Sequence, residues 1–221
     1  MLRKRRYDLV AFDVDGTLVD DTVFVWKTLH DYFGTDPAEQ TLGFDNYMQG
    51  RWSYAEWFQN DLRLLALGGA THQTMLRAIS GMRLMPGVHE TLAELRSAGA
   101  VLLILSGSLD IVTRKFGLDG LFDEVYLNRL EFDPEGRLAK GVATPYDVWD
   151  KARGLRDVSR RRGIPMGRTA FVGDNFNDVA VAKEAGFSIA FNCKSDELAR
   201  EADVVLPGGD MRAVLPYLLE S

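Results

Sequence analysis

Six short, largely apolar runs, spaced by segments of helical periodicity, restrict this chain to few architectures. They are Leu9–Phe12, Val101–Leu105, Glu124–Leu127, Thr169–Val172, Ser188–Phe191 and Val204–Leu206. Runs this short, with β-branched and aromatic residues, read as strands rather than buried helices. Between them lie amphipathic segments: Val88, Leu92 and Leu95 ahead of Gly99, a helix from about Asp110, one over roughly Asp150–Arg162, and one from about Asp178 to Ala185. Met211–Leu219 reads as a closing helix. Strands separated by helices imply a mainly parallel sheet covered on both faces, an α/β fold. Leu130–Ala143, around Pro134-Glu135-Gly136, breaks the rhythm and suits a hairpin.

The pattern changes between Asp21 and Leu84. Trp26, Trp52 and Trp57 fall here, and apolar residues recur at helical spacing (Val25, Leu29, Tyr32, Phe33, then Leu62, Leu65, Ala66). A small helical unit inserted after the first strand accounts for this. The expected division is a core of residues 1–19 and 86–221 and an insert of residues 20–85. The three tryptophans are expected to form the insert's own core.

A chain of 221 residues suits such a core with a smaller inserted unit. Its net charge of −6 argues against a nucleic-acid-binding surface. Arg160-Arg161-Arg162 then reads as a solvated helix face. The single cysteine, Cys193, excludes a disulfide framework, suits a reducing compartment, and reads as a small buried hydrophobe. Arg3-Lys4-Arg5-Arg6 resembles the front of a signal peptide, but Asp13 and Asp15 break the apolar segment behind it. No run is long enough to cross a bilayer. A cytoplasmic protein with neither membrane nor nucleic-acid partner is expected.

Ligands of open α/β sheets bind beyond the carboxyl ends of the strands. The first strand delivers Asp13 and Asp15 there, the second Ser106 with Gly107 and Ser108, and the fourth Asp174 followed by Asn175, Asn177 and Asp178. Carboxylates without nearby histidine or cysteine suit a hard cation with oxygen ligands, Mg²⁺ before zinc. Ser106 and the Gly107-Ser108 amides are donors of the kind that hold phosphate. Lys151 can reach the same pocket as a point charge. Each residue alone has a plain structural explanation: Asp174 or Asp178 as a helix cap, Lys151 as an exposed helix residue. The set together argues for a metal–phosphate pocket, without saying which aspartate attacks. His30, His72 and His89 read as surface or insert residues.

Phe12-Asp13-Val14-Asp15-Gly16-Thr17-Leu18-Val19 resembles the first motif of the haloacid dehalogenase superfamily. Leu105-Ser106-Gly107, Lys151 and Gly173-Asp174-Asn175-Phe176-Asn177-Asp178 fit its second, third and fourth motifs in order. Ser106 to Asp110, Asn128-Arg129-Leu130 and the Lys151–Asp174 spacing look most like the phosphoserine phosphatase branch. The resemblance implies a Rossmann-like core with a helical cap and a Mg²⁺-dependent phosphatase acting on a small phosphorylated metabolite. Asp13 would then be the nucleophile that forms a phosphoaspartate, and Asp15 the acid and base. Mg²⁺ would be held by Asp13, Asp174 and the backbone carbonyl of Asp15, with Asp178 behind them. Ser106, Gly107, Lys151 and Asn177 would bind the phosphoryl group. At the position where that branch places a substrate-holding glutamate this chain has Thr22, and its cap arginine falls near Asp61. These departures, with the tryptophan-rich insert, point away from phosphoserine and toward a less polar leaving group. Two other readings stand beside the hydrolase: a phosphotransferase or phosphomutase, and a phospho-receiver without turnover.

Overall fold

The computed structural model describes residues 3–146 and 149–220. In chain order the elements are β1 (Leu9–Phe12), β2 (Val19–Asp20), α1 (Val25–Phe33), α2 (Pro37–Met48), α3 (Tyr54–Leu67), α4 (His72–Ala78), β3 (Arg83–Leu84) and α5 (Val88–Ser97). There follow β4 (Val101–Leu109), α6 (Asp110–Lys115), β5 (Glu124–Phe132), β6 (Leu138–Val142) and α7 (Lys151–Arg162). The chain then forms β7 (Thr169–Gly173), α8 (Val179–Glu184), β8 (Phe187–Phe191), α9 (Asp196–Glu201), β9 (Val204–Leu206) and α10 (Leu215–Leu218).

Seven strands form one sheet in the order β6-β5-β4-β1-β7-β8-β9. All neighbours run parallel except β5 and β6, the hairpin read from Pro134-Glu135-Gly136. This is the α/β sheet of a Rossmann-like core. β1 lies at its centre, with Leu9 registered on Val101 of β4 to one side and Thr169 of β7 to the other. Successive β1 side chains alternate between two apolar layers. Val10 and Phe12 join one cluster, while Leu9 and Ala11 pack with Leu103, Leu105, Leu155, Val158 and Phe171 in the other.

The chain leaves β1 toward β4 on one side and returns to β7 on the other. The crevice beyond Phe12 is therefore the switch point at which such sheets bind ligands.

Between β1 and α5 the chain forms the four helices α1–α4. Their starts are set locally: Ser53 and Glu56 form a capping box on α3, and Pro37 opens α2 behind an Asp36 cap. Val25, Leu29, Phe58, Leu62 and Leu65 bury their side chains in the same cluster as Val10 and Phe12. β2 and β3 pair antiparallel at the root of this segment, Val19 on Leu84 and Asp20 on Arg83. Two residues per strand carry no readable periodicity, so the sequence gives no sign of this ribbon.

The structure corrects several sequence boundaries. β4 continues through Ser106, Gly107 and Ser108 instead of stopping at Leu105, with a break in its pairing to β5 between Leu105 and Leu109. The closing segment is a 3₁₀ turn over Met211–Val214 followed by the short α10, which has Pro216 in its first turn. The arginine run is more structured than a merely solvated face: Arg161 and Arg162 converge on Glu124 at 2.6 and 2.7 Å. Cys193 is half-buried, and its thiol donates to the Ser195 carbonyl. Among the described residues, no helix is long and apolar enough to cross a membrane.

Leu155 lies one turn beyond Lys151 on the buried face of α7 and is fully enclosed. Leu155→Ala is expected to lower stability by about 2–5 kcal/mol, read by urea denaturation followed by circular dichroism.

Candidate active site

Asp13 follows the last residue of β1 and Asp174 the last of β7, so adjacent parallel strands deliver both carboxylates to one crevice. Asp178 comes from the 3₁₀ turn after β7, and Lys151 opens α7. Carboxylate oxygens of Asp13, Asp174 and Asp178 lie within 4.8 Å of one another, and all three side chains are buried.

Lys151 holds two of the three acids apart. Its ammonium, 1% exposed, donates to Oδ1 of Asp13 at 2.6 Å and Oδ1 of Asp178 at 2.7 Å. Burial alone would lower the lysine's pKa, but the two carboxylates outweigh it and hold the pKa above its ordinary value. Asp178 is engaged at both oxygens, because its Oδ2 accepts from the amides of Asp174 and Asn175. It braces the loop that carries Asp174. Asp174 in turn accepts from Lys194 Nζ at 2.7 Å and from the Thr17 hydroxyl at 3.3 Å.

Four buried carboxylates, counting Asp15, face two lysines here. With all groups ionised, two negative charges are left without a partner. Burial first, then Asp13 and Asp178, push Asp174 up to about 8 despite Lys194. Burial likewise raises Asp178 to about 6, with Lys151 opposing. An excess of oxygen donors with raised proton affinity is the electrostatic signature of a cation site, and hard carboxylates fit a hard divalent ion.

The carboxylate of Asp15 does not join the cluster. Its Oδ1 accepts from the Ser108 hydroxyl and its Oδ2 from the Val25 amide, both at 2.7 Å. Burial raises it to about 6, with those two hydrogen bonds opposing. Asp15 thus joins the β4 end to the first helix of the insert. Ser106 is buried beside it, and its Oγ accepts from the Ser108 amide at 3.1 Å. In this irregular strand end the Ser108 amide is therefore occupied, unlike the open phosphate-binding turn expected from the sequence.

Gly16 permits this closeness. Its φ of +82° is left-handed, and a Cβ there would sit 2.2 Å from Oδ2 of Asp174 and 2.5 Å from Lys194 Nζ.

A cavity of about 710 Å³ opens from Asp13, Asp15, Ser106 and Gly107 into the insert. Asn177 stands on its wall with a buried Oδ1 that has no hydrogen-bond partner. Thr22 is not on that wall; its hydroxyl lies 3.4 Å from that of Thr28. Trp26 and Trp57 line the cavity, which overturns the expectation that they are only insert core. His30 and Asp61 line it too, and both are buried.

Other parts of the site were not evident from the sequence. Lys194 follows β8, so the same strand-end rule that found Asp174 would have reached it. Tyr54 carries no such signal, and Asn128 stands out only within the Asn128-Arg129-Leu130 run: its amide donates to the Tyr54 hydroxyl and to the Gly107 carbonyl, each at 2.7 Å.

A mainly parallel sheet with acids, a buried lysine and a serine gathered at its switch point defines a Rossmann-like α/β core with a polar crevice suited to a cation and an anionic ligand. A family model for haloacid dehalogenase-like hydrolases matches residues 7–186, and the chain belongs to that family, on its phosphoserine phosphatase-like branch. A phosphoserine phosphatase of Methanocaldococcus jannaschii is 27% identical over 97% of this chain and 99% of its own length. One of Halobacterium salinarum is 30% identical over 84% of this chain and 86% of its own. SerB2 of Mycobacterium tuberculosis, also named a phosphoserine phosphatase, is 32% identical over 84% of this chain, but the match spans 44% of that longer protein. A solved substrate-bound phosphoserine phosphatase superposes with a TM-score of 0.73 at 26% identity, covering 97% of this chain and all of that one.

The acid cluster predicts a pH-dependent stability whose sign a cation reverses. A folded-state pKa near 8 against an ordinary 3.8 means that the folded chain holds a proton at Asp174 that the unfolded chain has released. Asp174's contribution to stability is therefore complete below the unfolded value and lost as pH rises toward about 8. In chelator, the melting temperature of the protein relative to Asp174→Asn is expected to fall between pH 5 and 8. With saturating divalent cation that difference should instead grow in the protein's favour.

Proposed function

We propose that this protein is a Mg²⁺-dependent phosphomonoesterase that works through a phosphoaspartate at Asp13. The observation that carries the reading is the buried group of Asp13, Asp174 and Asp178 around Lys151, opening on a cavity beside Ser106 and Gly107. The names of the relatives support a small phosphorylated substrate.

Lys151 engages Oδ1 of Asp13, while Oδ2 accepts no hydrogen bond from the described residues. In this reading that oxygen attacks phosphorus. The O–P bond to Asp13 forms as the bond to the alcohol oxygen breaks. Asp15, with its pKa raised to about 6, gives its proton to the departing alkoxide. A water molecule then attacks phosphorus as Asp15 takes its proton, the O–P bond to Asp13 breaks, and inorganic phosphate leaves with the Asp13 carboxylate restored. The Ser106 hydroxyl and Asn177 amide orient the phosphoryl oxygens, and Lys151 balances charge on them. Mg²⁺, held by Asp13, Asp174 and the backbone carbonyl of Asp15, would supply further positive charge to the phosphoryl oxygens. Asp178 holds the loop rather than the substrate.

The insert over residues 20–85 acts as the cap of this site, and the core comprises residues 1–19 and 86–221. The described part of the cap supplies the cavity's far wall, and with it the choice of leaving group.

Phosphate release from 4-nitrophenyl phosphate with Mg²⁺ tests the reading. Asp13→Asn should reduce it to background, and acid quenching of the unaltered protein during turnover should trap phosphate on the chain. Asp15→Asn should cost about 10²–10⁴-fold in kcat with the fold unchanged. Full turnover in Asp13→Asn would overturn the proposal.

A further inference from the structure

The cavity's inner wall departs from what an amino-acid phosphate needs. A substrate carboxylate in a buried pocket calls for a fixed cation, and among the described wall residues the basic side chains are Lys27 and His30. Lys27 is exposed and already paired with Asp31 at 2.5 Å. The buried charge on this wall is instead a carboxylate, Asp61.

Two helices run from the phosphate end to Asp61. On α3, Tyr54, Trp57, Phe58 and Asp61 share one face, being three, four and seven residues apart. Tyr54 begins that row, hydrogen-bonded to the Asn128 amide that also reaches Gly107. Asp61 ends it two turns later, about 10 Å along the axis. On α1, Trp26 donates from Nε1 to the Gly107 carbonyl at 3.0 Å, and His30 follows one turn on. Trp26 and Phe58 meet edge to face, centroids 5.6 Å apart, between the two ends.

Asp61 is 5% exposed. Its Oδ1 is fully enclosed and unpartnered. The nearest cationic candidate, Nε2 of His30, stands 3.7 Å away, beyond hydrogen-bond reach. The other ring nitrogen of His30 is committed to the Thr35 hydroxyl at 2.7 Å. Burial raises the Asp61 pKa, with His30 only partly offsetting it. A buried, unsatisfied carboxylate is costly unless a ligand completes it. Aromatic faces leading up to it favour a cation, because ring quadrupoles attract positive charge.

We propose that the leaving alcohol of this enzyme is an aromatic or apolar spacer ending in an ammonium group, with Asp61 as its charge partner. This rests on the phosphomonoesterase reading and names its substrate class. Phosphoserine is too short to carry its ammonium from the phosphate end to Asp61, about 10 Å along α3, and so leaves that carboxylate uncompensated.

Three aryl phosphates of equal length test it: O-phosphotyramine, 4-propylphenyl phosphate and (4-phosphonooxyphenyl)acetate. They place an ammonium, a methyl group and a carboxylate, respectively, at the far end. The expected order of kcat/KM is ammonium, neutral, carboxylate, with the ammonium ester ahead of the neutral one by about tenfold or more through KM. In Asp61→Asn the ratio of ammonium to neutral should collapse toward one, while Asp61→Glu should keep most of it. A purely structural Asp61 would lower all three esters together and leave the ratio intact, which would overturn the inference. So would a neutral or carboxylate ester that equals the ammonium one in the unaltered protein. Release of phosphate from none of them, nor from 4-nitrophenyl phosphate, would instead defeat the phosphomonoesterase reading and this inference with it.

Discussion

The buried ammonium of Lys151 is the group on which the site's geometry depends. Removing such a charge from water costs several kcal/mol, and only close carboxylates offset it. Asp13 and Asp178 do so at 2.6 and 2.7 Å, from the end of β1 and the turn before α8. Three elements far apart in the chain are thereby fixed to one point. The chain of dependence continues outward. Asp178 can face Lys151 only while its other oxygen accepts from the Asp174 and Asn175 amides, so the same ion pair shapes the loop that presents Asp174. Gly173 must remain a glycine for this, since a Cβ there would lie 2.3 Å from Oδ2 of Asp178.

The two lysines divide their work by burial. Lys151 is enclosed and serves two acids, whereas Lys194 is 28% exposed at the side chain and serves Asp174 alone. One is part of the scaffold. The other comes from the neighbouring strand end and neutralises only part of what remains. Asp174 therefore keeps the raised proton affinity that marks the place where positive charge is still lacking.

Much of this was legible in the sequence because parallel sheets obey strict rules. An apolar run of four or five residues has to lie between two layers, and its last polar residue has to emerge at the shared carboxyl edge. Asp13, Ser106 and Asp174 follow from that rule, and so does Lys194 just beyond β8. What failed was local geometry that no periodicity encodes. β4 runs on through Ser106-Gly107-Ser108 because its pairing with β5 breaks without ending. Thr22 stands near the first motif in sequence, but its hydroxyl meets Thr28 rather than the cavity.

The insert shows a second limit. Helical spacing says that one face of α1 and one of α3 are apolar, but not whether that face meets other side chains or a cavity. Here it meets both: Leu62 and Leu65 are core, while Trp26, Trp57, Phe58 and Asp61 border the space left open. An acid in such a row reads as a surface position until the structure places it inside. The joining point is the Gly107 carbonyl, which accepts from Trp26 and from the Asn128 amide that also holds Tyr54. Gly107 is next to Ser106, so the aromatic wall is positioned by the same strand end that presents Ser106 to the cavity. A movement of those rings therefore bears on the strand end that presents Ser106. The two ends of the cavity are thereby tied through one carbonyl.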